Sequence, residues 1–139
     1  MEIDNTLFIW VPLENIGPFK FGDKIYNYVA HYPLTHIPEE YNEKVNWDVY
    51  EYPHKGLRIF SENDQIVAIS SETSLIYNDV NIIGMAKEKV GDILLAEPDV
   101  IEQEELIEGP QDVYDYDDLG LQLWVKDNVI IKSICNGKE

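Results

Sequence analysis

A chain of 139 residues is about one domain's worth of sequence, long enough to hold a core without disulfides or bound metal. With 45% hydrophobic and 12% aromatic residues it is too apolar for a disordered acidic tail, despite a formal charge of -17. Its 27 carboxylates against 10 Lys and Arg repel phosphate, which argues against nucleic acid and anionic membranes as direct partners.

In chain order, a strand is expected over 7–11. Phe21-Gly22 then opens a helical stripe of Ile25, Tyr28 or Val29, and Tyr32, which Pro33 closes. Strands follow around Val49 to Tyr52, Leu57 to Phe60 and Ile66 to Ile69, the last two joined by a turn at Ser61-Glu-Asn-Asp64. A further strand begins over 74–77. Ile83-Gly84 opens a second helical stripe of Val90, Ile93 and Leu94, to which Met85 contributes, ended by Pro98. Both helices are short, about two to three turns, and need a sheet to lie on. Strands over 121–125 and 129–134 then flank the turn Lys126-Asp-Asn128.

The order of elements is written twice. Asp48-Val-Tyr-Glu-Tyr-Pro-His-Lys-Gly-Leu-Arg-Ile-Phe60 aligns with Asp112-Val-Tyr-Asp-Tyr-Asp-Asp-Leu-Gly-Leu-Gln-Leu-Trp124 at an offset of 64, with six of thirteen pairs identical. The match continues with one residue inserted, and Phe21-Gly22 corresponds to Ile83-Gly84 at offset 62. Gly56 and Gly120 occupy equivalent turns, where backbone shape explains them better than ligand binding. This predicts a single domain over 1–139, built from repeats of about 16–75 and 78–137. The expected class is α+β: each repeat a short helix followed by an antiparallel three-strand unit, helices packed on one face of a twisted antiparallel sheet. Two joinings are open, a continuous sheet with an approximate two-fold or two small sheets packed as a pseudo-dimer. Hiding edge strands favours the first.

Charge divides the two repeats. Residues 97–118 hold ten carboxylates and no Lys or Arg, whereas the first repeat relieves Glu39, Glu40, Glu43, Asp48 and Glu51 with Lys44, His36 and His54. Such a run is commonly a solvated surface, but like charges repel and cost stability, which points to a use. A cationic protein surface is the matching partner. Candidate contacts are Glu102, Glu104, Glu105, Glu108, Asp112, Asp115, Asp117 and Asp118, with Tyr114, Tyr116 and Trp47 as apolar anchors. Period-two alternation offers the two tyrosines a second place, in the sheet core beside their counterparts Tyr50 and Tyr52. Trp124 stands where Phe60 does, as one bulky core group for another.

No phosphate loop, metalloprotease His pair, Cys-x-x-Cys or nucleophile elbow is present. Cys135 reads as a buried structural thiol. His31, His36 and His54 are too scattered for zinc, and Asp115, Asp117 and Asp118 lack the Gly and final Glu of a calcium loop. No catalytic residue, metal or cofactor is therefore expected. Met1-Glu-Ile-Asp carries no basic or long apolar leader, so a cytoplasmic protein is expected.

Ile16-Gly-Pro-Phe-Lys-Phe-Gly22 and Ile82-Ile-Gly84, each followed by a short helix, a proline and a strand unit with Gly-Leu, resemble tandem copies of a small module. The repeat order, over about 120 residues, is similar to the duplicated unit of the beta-lactamase inhibitory proteins and to the outer-membrane assembly lipoprotein domain. A looser similarity is to bacterial immunity proteins, small acidic cytosolic inhibitors of basic toxins. These resemblances imply a non-enzymatic immunity or inhibitor protein that covers the cationic surface of a toxin such as a nuclease. The alternatives are a structural or adaptor protein, or a small-molecule binding protein.

Overall fold

The computed structural model describes residues 5–37 and 47–138, so Glu39, Glu40, Glu43 and Lys44 of the first-repeat charge pattern lie outside the described residues. A 3-10 turn at Asn5–Phe8 leads into β1 (Trp10–Val11), β2 (Asn15–Ile16) and β3 (Phe19–Lys20), which pair as a small antiparallel sheet. A single helical turn, α1 (Tyr26–Val29), precedes β4 (Thr35–His36), β5 (Trp47–Tyr52), β6 (Leu57–Glu62) and β7 (Gln65–Ser71). The hairpin of β8 (Ile76–Tyr77) and β9 (Val80–Asn81) is followed by α2 (Lys87–Leu94). Then come β10 (Val100–Leu106), β11 (Gly109–Tyr116), β12 (Leu121–Lys126) and β13 (Val129–Asn136), with a 3-10 turn at Asp117–Leu119.

The expected α+β arrangement of helix-plus-three-strand units is overturned: the protein is mostly β. After Gly22 the chain first pairs with the start of β7, Ile25 donating its N–H to the Asp64 carbonyl and Ile66 donating to Asp23. Only four residues remain helical in α1, and they are aromatic, β-branched or Asn, all weak helix formers. α2 has eight residues, no side-chain cap, an internal Gly91, and only Val90 and Leu94 buried. The small strand pairs therefore share the covering of the sheet with these helices.

The symmetry lies in the sheet itself. Eight strands run in the order β10-β11-β12-β13-β7-β6-β5-β4, so the runs 48–60 and 112–124 occupy mirrored places either side of a central β13–β7 pair. Ser70 pairs with Ile134, its own counterpart at the 64-residue offset, which puts the approximate two-fold axis through that pair. Of the two joinings open in the sequence, the continuous sheet forms. Bulges fall at Phe60/Ser61 and at Trp124/Val125. Because the bulges coincide, the offset holds at 64 through β7 and β13, and the expected one-residue insertion is not there. The hairpin turns Asn63-Asp64 and Asp127-Asn128 both have two positive φ values, the backbone that a tight antiparallel turn needs. Gly120 adopts φ +60, and a Cβ there would sit 2.7 Å from the Asn136 carbonyl oxygen. Backbone shape therefore explains the repeated Gly-Leu.

Two rows of side chains cross the sheet on its core face. One is Tyr50, Ile59, Ile69, Cys135, Leu121 and Tyr116; the next is Tyr52, Leu57, Ser71, Ser133, Leu123 and Tyr114. Leu7, Trp10, Ile16, Phe19, Ile25, Leu75, Ile82 and Val90 close over them. The opposite face carries Glu51, Arg58, Ser70, Ile134, Gln122 and Asp115 in one row, with Phe60 and Trp124 nearby. Phe60 and Trp124 are thus half-buried on the second face, not members of the core.

Candidate functional site

The acidic run 97–118 does not form one patch. It folds into the β10–β11 hairpin at the end of the sheet, and strand alternation divides its charges. Glu102 and Glu104 lie opposite Val113 and Gln111 and share their face with Asp115. Glu105 lies on the other face, together with Asp112, which pairs with Gln103. Glu108 is exposed in the turn at the tip. Asp117 and Asp118 stand at the far end of β11 in the 3-10 turn, where the Asp117 N–H donates to the Asp99 carboxylate at 2.7 Å.

All seven residues of β10 are exposed, on both faces, and β11 is its one neighbour in the sheet. Among the described residues no Lys or Arg forms an ion pair within 4.0 Å with a carboxylate of this hairpin. The strand also presents apolar side chains: Val100, Ile101 and Leu106 are exposed, as is Ile107 beside them. These aliphatics went unrecognised in the sequence. The signal was available, because two apolar pairs, Val100-Ile101 and Leu106-Ile107, flank the polar run Glu102 to Glu105 just where no core element was expected.

The expected aromatic anchors are placed elsewhere. Tyr116 is 3% exposed and belongs to the core, while Tyr114 packs against it, so the tyrosines take the core alternative. Burial, with Tyr114 and Glu97 nearby, pushes the Tyr116 phenol up to about 12. Trp47 is half-buried against Phe60, ring centroids 5.7 Å apart, and donates its indole N–H to Glu62 at 2.9 Å. It lines an open groove of about 790 Å³ together with Asp115, Asp117, Asp118, Gln122 and Lys138. The structure thus brings Trp47 to three of the candidate aspartates and leaves Glu102, Glu104, Glu105 and Glu108 apart on the hairpin. On the second face Asp115 accepts from Gln122 at 2.9 Å, and Gln122 accepts from the Trp124 indole at 3.0 Å. The Lys132 ammonium lies 5.4 Å from the Trp124 ring centroid. Asp115 is therefore committed to a hydrogen-bonded chain.

Among the described residues no group of three or more His, Cys, Asp or Glu is placed to hold a metal ion. No described helix is long and apolar enough to cross a membrane. Cys135 is fully buried on the core face, and that burial pushes its thiol up from the ordinary value. The folded state then holds a proton that the unfolded chain gives up above pH ~9, so stability declines as pH rises past that point. Tyr116 adds to the same decline from about pH 10, and each group contributes at most ~1.4 kcal/mol per pH unit. Thermal unfolding at pH 7, 9 and 10.5 should show Tm constant and then falling; a Tm that rises above pH 9 would contradict the burial of both groups. The thiol should also resist aromatic disulfide reagents until the protein unfolds.

Comparison with protein-family models, with curated proteins and with solved structures finds no match to the chain.

Proposed function

We propose that this protein is a non-enzymatic acidic binding module that covers the cationic surface of a basic protein, as an immunity protein covers a nuclease-type toxin. The observation that carries this reading is β10: an edge strand exposed on both faces, bearing Glu102, Glu104 and Glu105 beside uncovered aliphatics. A toxin that acts on phosphate needs positive charge to hold it, and an acidic cover can occupy that surface without imitating the chemistry. Charge alone would suit any solvated surface. The exposed Val100, Ile101, Leu106 and Ile107 supply the desolvated contact that an interface requires in addition.

The test is affinity capture from the native host with the wild-type chain and with the Glu102→Gln/Glu104→Gln/Glu105→Gln/Glu108→Gln variant. The recovered partner should be basic and bind at least ~10-fold more weakly to the variant, or when salt rises from about 50 to about 200 mM. An acidic or neutral partner, or an affinity indifferent to both changes, would remove the support for this reading.

A further inference from the structure

The pseudo-symmetric sheet lets each half serve as a reference for the other. At one edge β4 is two residues long, and Ile37, just beyond it, donates its N–H to the Val49 carbonyl and is 9% exposed. At the other edge the residue facing the equivalent Val113 is the exposed Glu102, and the strand runs to seven residues. Beyond Ile37 the first half passes out of the described residues, whereas the second half ends in a long, bare, acidic strand. Edge strands are usually kept short, bulged or covered, because their free N–H and C=O groups recruit other strands. Glutamates alone would guard β10 against copies of itself, but guarding gives no reason to leave Val100, Ile101 and Leu106 uncovered.

We propose that β10 is a strand-addition site: an extended, lysine- or arginine-bearing segment of a partner protein pairs with its free edge and lengthens the eight-stranded sheet. This rests on the reading of the protein as an acidic binding module and names how the partner is held. Alternate residues of β10 direct N–H and C=O away from β11, and seven residues span about 23 Å, room for a partner strand of similar length. Glu102 and Glu104 share one face, so the partner strand carries cations two residues apart on that face. Ile101 and Glu105 on the other face take one apolar and one basic side chain. Self-pairing is opposed by three glutamates per strand and by a chain charge of -17.

The probe is the capped heptapeptide Lys-Thr-Lys-Thr-Lys-Thr-Lys, with two counterparts N-methylated at its odd or at its even amides. Titrations at low salt are followed by amide shifts of the intact protein. The unmodified peptide should bind and shift residues 100–106. One methylated form should lose at least ~10-fold in affinity and the other less than ~3-fold, because only one set of amides faces β10. Equal binding by all three peptides, weakened by Glu102→Gln/Glu104→Gln, would overturn strand addition and leave the acidic reading standing. Absence of binding by all three would overturn strand addition, while capture of the basic partner decides the broader reading separately.

Discussion

Replacing Phe19 with alanine should destabilise the protein by about 3–5 kcal/mol, a large part of the ~5–15 kcal/mol that holds a typical domain. Phe19 is fully buried, and its ring meets Tyr32 at 5.2 Å, Tyr28 at 5.3 Å and Tyr52 at 6.4 Å between centroids. It thus joins the small N-terminal sheet, the α1 region and the main sheet. Truncation removes the buried ring and leaves a cavity that three other aromatics line. Urea unfolding should show the midpoint falling with an unchanged slope. A loss below ~1 kcal/mol would mean that the N-terminal strands do not close the core.

Reversing three charges on β10, Glu102→Lys/Glu104→Lys/Glu105→Lys, should weaken binding of the basic partner by ~1,000-fold or more at low salt. Each reversal adds two charges, so the formal net charge moves from -17 to -11, with the change concentrated on one strand. Attraction becomes repulsion at the contact, which acts on encounter as well as on the bound state. The fold should be unaffected or slightly firmer, since all three side chains are exposed and self-repulsion falls. Lysine is itself a common guard of edge strands, so the variant should stay monodisperse. Unchanged affinity with intact folding would place the binding surface elsewhere.

The duplicated runs 48–60 and 112–124 were legible because they recur without a break, and their mirrored strands follow from that. The helices were less legible: Ile25, Tyr28 and Tyr32 have helical spacing, but backbone pairing with the start of β7 takes up the chain as far as Ile25, and only the weak helix formers Tyr26 to Val29 then turn. Spacing records which residues face inward, not which hydrogen bonds bring them there. For the site, the acidic run was visible but its division was not, because the register that separates Glu102 and Glu104 from Glu105 and Asp112 depends on pairing with β11. Alternation alone allows Tyr114 and Tyr116 either the surface or the core. Their repeat partners Tyr50 and Tyr52 were the better guide, since equivalent positions in mirrored strands point the same way.

Hydrogen exchange of the protein with and without its captured partner tests the acidic-edge assignment most directly. Binding at β10 should slow exchange across 100–109 and leave the opposite edge at Thr35–His36 unchanged. Protection centred instead on Trp47 and the groove it lines, with 100–109 exchanging as in the free protein, would contradict it.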